Sequence, residues 1–267
     1  EYEVLGEGMD KVPVGDTDGY IQLIFSSGKN LLEETCRLSE KCENAIIFVC
    51  FRNTEELVSH LYQIEKYKYI LSKVLIDKSD KVAINEMMEY EKVVLNKSIS
   101  ESLFAYNGDV TWIFKGEERQ VCSLREFNQL LSVVCDEIYP RTPVMNNELF
   151  NKHKLSSSIS SAKGKYLSAL VNQSNEVDFG FPEDKFPPEK TIYYSLLKST
   201  GLHVNGEFID VPSNEGIMPL WNACEDFLSS TTFKARKISE LIKKLSAKPY
   251  KLKQGFIDFW VPTYLYI

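Results

Sequence analysis

The sequence has little of what marks a metal site, a disulfide-bonded scaffold or a membrane span. Only three histidines occur, His60, His153 and His203, and no two of the six cysteines form a C-x-x-C pair. No run approaches the roughly 20 apolar residues that a membrane-spanning helix needs. The closest, 256–267, is short and is interrupted by an acid and a proline. These absences argue against a zinc site, a disulfide framework and a transmembrane helix.

Glycine and proline are also modest, at 13 and 10 of 267 residues, which excludes collagen-like and mucin-like chains. The 43% of hydrophobic residues excludes intrinsic disorder and suffices for one large domain or two smaller ones. The thiols are scattered, as in reduced cytoplasmic proteins, and we expect Cys50 and Cys135 to be buried as small apolar residues. The cysteines are Cys36, Cys42, Cys50, Cys122, Cys135 and Cys224.

Neither end of the chain looks like a natural terminus. The sequence begins at Glu1 without a signal peptide or an initiator methionine, and it stops inside the apolar run 256–267. Natural ends are usually polar and frayed. We therefore expect the chain to be a segment of a longer protein.

The first half of the chain predicts a βαβ unit followed by a long helical hairpin. Apolar runs at 20–25 and 45–51 predict two strands, and a helical pattern at 30–41 lies between them. The second strand is expected to be covered on both faces. Thr54 caps a long amphipathic helix that runs to about residue 74, and a second helical pattern spans 81–103. Two long antiparallel helices are the natural interpretation.

The second half predicts shorter elements. A β-hairpin is expected at 109–122, followed by a helix that Ser123 and Glu126 begin as a capping box and Pro140 ends. Helices are expected at 158–172, 191–199, 218–228 and 238–247, with an extended piece at 207–211. The last run, 256–267, fits either a helix or a strand.

The predicted fold class is mixed α/β (α+β) and helix-rich. An N-terminal βαβ unit with a long helical hairpin precedes a C-terminal helical or winged-helix-like module. The predicted divisions are 1–108 for the α/β unit, 109–173 for the β-hairpin and its helices, 174–190 for a linker and 191–267 for the last module. The linker is predicted from three prolines and five acidic residues within 174–190.

No catalytic set is visible. Residues 26–30, Ser-Ser-Gly-Lys-Asn, lie between a strand and a helix as a phosphate-binding loop would. A Walker A loop needs a glycine where Leu23 stands and a Ser or Thr where Asn30 stands, so a plain turn is favoured. There is no G-x-S-x-G nucleophile elbow and no local Cys/His signature. The sequence therefore assigns no catalytic, cofactor-binding or metal-ligating residue.

The strongest charge feature is the basic segment 234–253. The net charge of −7 disfavours attraction of nucleic acid to the whole surface. Residues 234–253, however, include eight basic residues and only one acid, Glu240. The candidate phosphate contacts are Lys234, Arg236, Lys237, Lys243, Lys244, Lys248, Lys251 and Lys253. We expect Ile238, Leu241, Ile242 and Leu245 to be buried. The segment fits either nonspecific phosphate binding or a solvated face that balances acidic surface, and the second is favoured.

A second basic patch surrounds the serine-rich start of the helix at 158–172. It contains Lys152, His153, Lys154, Lys163 and Lys165, with no acid between Glu148 and Glu176. Free backbone N–H groups at such a helix start can hold an anion. The serines are also explained as ordinary N-caps, which is the favoured interpretation.

Two longer stretches, 135–149 (CDEIYPRTPVMNNEL) and 238–255 (ISELIKKLSAKPYKLKQG), add a family resemblance, supported by 198–203 (KSTGLH). Together they resemble the very large P-loop ATPases of bacterial phage-defence systems, the BrxC and PglY type of BREX and Pgl islands. The resemblance covers about residues 110–267. One departure is Lys251, which stands where the family pattern has glycine after Pro-Tyr.

The resemblance implies a middle region of a multi-domain ATPase whose ATP and Mg²⁺ site lies outside this sequence. The expected function is a non-catalytic scaffold or transmission segment in the cytoplasm. Its expected partners are the other domains of the parent chain and other defence-system proteins, with no membrane contact. One alternative is a nucleic-acid-binding module that contacts DNA through 234–253. The other is an unrecognised enzyme, which would need a deep pocket where one of the histidines meets acidic partners.

Overall fold

The computed structural model describes residues 17–25, 30–52, 54–74, 77–106, 109–145 and 147–267. The loop residues 26–29, weighed above as a phosphate-binding turn, lie outside these residues, as does Asn146 of the family-like stretch. The chain divides into two compact units, residues 1–136 and 137–267. None of the described helices is long and apolar enough to cross a bilayer.

The first unit contains the predicted βαβ arrangement. Strand β1 (Tyr20–Phe25) pairs in parallel with β2 (Ile46–Phe51), and helix α1 (Leu31–Lys41) connects them. Every residue of β2 is buried, with Phe48 and Cys50 packed toward α1. A parallel pair needs a crossover of this kind, and a strand covered on both faces becomes a continuous apolar run.

Two long helices follow. Helix α2 (Glu55–Lys73) and helix α3 (Lys78–Leu103) run antiparallel, and the His60 imidazole lies 2.6 Å from the Glu91 carboxylate across them. Asp77 caps α3 by accepting the Asp80 backbone N–H at 2.9 Å. The predicted helical hairpin is confirmed, with α3 beginning three residues earlier than predicted.

The sheet is completed by an antiparallel hairpin. Strand β3 (Val110–Phe114) pairs with β2 and with β4 (Glu117–Arg119), so the strand order is β1-β2-β3-β4. Helix α4 (Leu124–Ile138) follows. Its start is a modified capping box: Ser123 accepts the Glu126 N–H at 3.2 Å, while the Glu126 carboxylate accepts the N–H of Cys122 at 2.6 Å.

The second unit is mostly helical around one aromatic core. Its helices are α5 (Ser157–Asn172), α6 (Pro188–Tyr193), α7 (Met218–Thr231), α8 (Ile238–Ser246) and α9 (Gln254–Tyr266). A wider helical turn, Tyr194–Lys198, extends α6, and two short strands, β5 (His203–Val204) and β6 (Glu207–Phe208), form a hairpin. The run 256–267, which fitted either a helix or a strand, lies mostly within the helix α9, and most of α9 is buried in the core.

The helix-rich α+β fold class is confirmed. Residues 174–190, predicted as a linker, lie inside the second unit and contribute the fully buried Phe179 to its core. They pack because Phe179 meets the rings of Tyr193 and His203, with centroids 4.5 and 4.8 Å away. The other predicted divisions and the winged-helix-like arrangement stay predictions. All six cysteines are free of disulfides, and Cys50 is buried, but the prediction for Cys135 is wrong because it lies on the exposed side of α4.

Candidate nucleic-acid interface

Helix α8 is the centre of the predicted basic segment. Leu241 and Leu245 are fully buried one turn apart, and Lys243 projects from the opposite, exposed side. This is the ordinary geometry of an amphipathic helix. The prediction that Ile238 is buried is wrong: it is 48% exposed, because it is the first residue of the helix and lies beyond the core contact.

Arg236 and Lys244 of the basic segment are engaged within the protein. Arg236 donates from Nε and Nη2 to Glu240 at 2.9 and 2.7 Å, donates from Nη1 to Ser230, and lies 4.8 Å over the Phe227 ring. These hydrogen bonds, with one from the Lys237 backbone N–H, lower the pKa of the Glu240 carboxyl. Lys244 donates to the Ala223 carbonyl at 3.2 Å. The charge of Glu240, the single acid of the segment, is therefore balanced by Arg236. Arg236 is then engaged with Glu240 and is no longer a candidate phosphate contact.

The connection from α8 to α9, residues 247–253, is a tightly held loop. Leu252 N–H donates to the Leu245 carbonyl at 2.9 Å, and the Tyr250 side chain is buried between the loop and the core. Lys251 has φ of 49°, in the left-handed region that glycine favours.

The same loop lies against residues 141–142, and the start of α9 that follows it lies against the second basic patch. The Pro249 carbonyl accepts the Arg141 N–H at 3.3 Å, and the Thr142 hydroxyl donates to the Tyr250 carbonyl. Just beyond the loop, the Gly255 N–H donates to the Lys152 carbonyl at 2.8 Å. Side chains more than 80 residues apart in the sequence thus share one region of the second unit, which we call the basic surface. Its members are Arg141, Lys152, Lys154, Lys248, Lys251 and Lys253.

The chain segments that form this region contain few acids. Residues 138–175 and 241–257 include ten Lys and Arg against a single acid, Glu148. Of the basic surface, Arg141, Lys152, Lys154 and Lys248 are exposed, and Lys251 and Lys253 are partly exposed. A local excess of positive charge attracts polyanions even on a protein whose net charge is negative.

The remaining lysines of the second patch are paired. Lys163 lies 3.2 Å from Asp258, and Lys165 lies 3.1 Å from Glu189. Ser156 accepts the Ile159 N–H at 3.4 Å as the N-cap of α5. The favoured interpretation of this serine as an ordinary cap is therefore confirmed, and the positive charge near α5 is reduced.

The three histidines do not form one site. His60 lies between α2 and α3 beside Glu91, and His153 lies near the basic surface. His203 is buried, with Nε2 2.8 Å from the Ser174 carbonyl and Nδ1 2.7 Å from the Tyr193 hydroxyl. Because the carbonyl only accepts, Nε2 is the donor to Ser174. Among the residues described, no group of three potential metal ligands comes together.

A cleft of about 290 Å³ lies in the first unit, beside the carboxyl end of β2. Arg52 lines it and donates to the Thr111 hydroxyl at 3.4 Å. None of the three histidines lines this cleft, so it is not the pocket that the enzyme alternative calls for. That alternative stays a prediction.

Charge is divided unequally between the units. Residues 137–267 contain sixteen Lys and Arg against fourteen Asp and Glu, which gives +2, and residues 1–136 therefore carry −9. Sequence reasoning found both basic patches but not their contact. The available signal was that both lie in stretches with few acids.

Comparison with known proteins identifies no relative. No protein-family model, no curated protein and no solved structure matches this chain.

Proposed function

We propose that the second unit binds the phosphate backbone of nucleic acid through the basic surface. The observation that carries this proposal is the packing of loop 247–253 against Arg141 and of Gly255, just beyond the loop, against Lys152, which brings two basic patches into one region with few acids. Lysine and arginine contacts to phosphate release condensed counterions, so they supply affinity without reading base sequence. The expected activity is salt-dependent and insensitive to sequence.

Charge reversal at two lysines of the basic surface, one exposed and one partly exposed, tests this proposal. We expect Lys152→Glu with Lys251→Glu to weaken binding of a fluorescein-labelled 20-mer DNA at least about tenfold in an anisotropy titration. The slope of log K against log salt should fall by about 2, one for each lost phosphate contact.

The matched control is Lys66→Glu with Lys73→Glu on α2, which changes the net charge equally at two exposed lysines of the first unit. This control should bind nearly as the wild type does. If both pairs of substitutions weaken binding equally, the effect comes from net charge and not from the basic surface. Absence of binding by the wild type at low salt would overturn the proposal.

We further propose that this module serves as a scaffold or transmission segment of a large cytoplasmic ATP-binding defence protein. The support is the family-like pattern at 135–149 and 238–255, whose second half includes the loop of the basic surface. The test is the flanking reading frame: a G-x-x-x-x-G-K-[ST] motif in the same gene product would support the parent class. A gene product without that motif that hydrolyses nucleotide by itself would contradict it.

A further inference from the structure

Phe233 is the most exposed large apolar side chain among those the structure describes. It lies in the connection between α7 and α8 and is 94% exposed. A single exposed apolar residue is ordinary on a protein surface. Phe233 differs because its neighbours in the same connection are basic: Lys234 follows it directly, and both Lys234 and Lys237 are exposed.

The nearest acid in the chain, Glu240, offsets only part of these charges, since Lys234, Arg236 and Lys237 together outnumber it. Glu240 accepts two hydrogen bonds from Arg236 and one from the Lys237 backbone N–H. Arg236 is also held over the Phe227 ring, which fixes its guanidinium beside that acid. The exposed ring of Phe233 therefore stands next to two exposed lysines, and the one nearby acid, Glu240, is hydrogen-bonded to Arg236 and interacts with Lys234 only through space.

Helix α8 connects this end to the basic surface. Its nine residues span about 14 Å at 1.5 Å per residue. Lys243 projects outward between the two ends, and Lys251 and Lys253 follow in the loop beyond. Positive charge therefore runs along the helix, with an aromatic ring at one end. A charged track with aromatic platforms is how proteins bind single-stranded nucleic acid without sequence preference.

We propose that Phe233 stacks on an unpaired base of single-stranded nucleic acid whose phosphates contact Lys234, Lys237 and Lys243. This inference rests on the proposed function, because it needs the phosphate binding described above. It adds a preference for single strands, since paired bases inside a duplex are stacked on each other and offer no free face to the ring. DNA and RNA share this chemistry, and the two are separated by the test.

The test replaces Phe233 by Trp. The natural tryptophans, Trp112, Trp221 and Trp260, are all buried, so the new indole is the exposed emitter of the protein. Addition of a 15-mer oligo(dT) or oligo(U) should quench that emission, whereas a 15-base-pair duplex should leave it nearly unchanged. Unequal quenching by the two oligomers tells DNA from RNA.

Affinity supplies the second readout. Phe233→Ala should weaken binding of the single strand by about five-fold to a hundred-fold, the range of one stacked base, and should leave duplex affinity unchanged. Phe233→Leu should lose as much as the alanine variant because it keeps apolar area but no ring. Tyr106→Ala, at a tyrosine that is 81% exposed in the first unit, is the control and should bind as the wild type does.

The outcomes separate the two proposals. Absence of binding to any oligomer overturns the proposed function and this inference with it. Equal affinity for single strand and duplex, unchanged by Phe233→Ala, overturns the inference alone. An alanine variant that keeps full single-strand affinity but changes the oligomeric state in light scattering also overturns it, because Phe233 is then a protein contact.

Discussion

Gly255, two residues beyond the basic segment 234–253, is in backbone contact with Lys152 of the second basic patch. A Cβ atom at this position would lie 2.5 Å from the Phe150 carbonyl oxygen and 2.6 Å from that of Lys152. The same close approach allows the Gly255 N–H to donate to Lys152 at 2.8 Å. The absence of a side chain at Gly255 therefore permits the contact that forms the basic surface.

We predict that Gly255→Ala destabilises the protein by about 1 to 3 kcal/mol, because backbone must shift to admit the methyl group. The measurement is the midpoint of urea unfolding. Gly164→Ala is the matched control: it lies within α5 with no atom within 4 Å of the added Cβ. That variant should gain about 0.5 to 1 kcal/mol from helix propensity. Equal and small effects at both positions would contradict the packing around Gly255.

The turn at 177–180 packs residues 174–190, which were predicted as a linker, into the core of the second unit. Asp178 and Phe179 both have positive φ, 52° and 54°, which turns the Phe179 ring into the core. The Asp178 carboxylate accepts hydrogen bonds from Lys198 at 2.7 Å and from the Tyr194 hydroxyl at 2.8 Å. Burial alone would raise the pKa of Asp178, but these bonds outweigh it and lower the pKa.

Asp178→Asn should therefore destabilise the protein at pH 7 by about 1 to 2 kcal/mol through loss of charged hydrogen bonds. A lowered folded-state pKa means that the carboxylate stabilises the fold above its unfolded pKa of about 3.9. This stabilisation is lost as pH falls through the folded-state value.

Urea unfolding from pH 7 to pH 2.5 should thus show wild type and variant converging in acid. Asp184→Asn, at an exposed acid of the neighbouring loop, should follow the wild type at every pH. A constant difference between Asp178→Asn and wild type across this range would contradict the role of the charge.

Elements with a clear periodicity were predictable, and elements defined by tertiary contact were not. The run 46–51 is apolar throughout because both faces of β2 are covered, so its strand was evident. Helix α9 was ambiguous because it is buried on most sides and has no polar face to reveal a period. Residues 174–190 are polar and rich in proline, and only the packing of Phe179 makes them part of the core.

For the molecule as a whole, the candidate interface was only half predictable. Composition identified 234–253 as basic, yet it could not show that Arg236 and Lys244 are engaged inside the protein. Nor could it show that Lys152 belongs to the basic surface, because that depends on a backbone contact with Gly255, about 100 residues further along the chain. Local charge is visible in sequence, whereas the surface that charge forms is decided by packing.

The unequal charge of the two units leads to a last prediction. Residues 137–267 contain their own core and carry +2, whereas residues 1–136 carry −9. A covalently attached negative charge repels a polyanion over about one Debye length, roughly 10 Å at 0.1 M salt. Expressed alone, residues 137–267 should therefore fold and bind DNA several-fold more tightly than the full chain at low salt.

The advantage should vanish in about 0.5 M salt, where screening removes the repulsion. Circular dichroism checks that the fragment is helical, and anisotropy titrations at several salt concentrations compare the affinities. A helical fragment that binds more weakly than the full chain would mean that the first unit supplies contacts of its own. In that case the basic surface would be only part of the interface, and the assignment of binding to the second unit would be wrong.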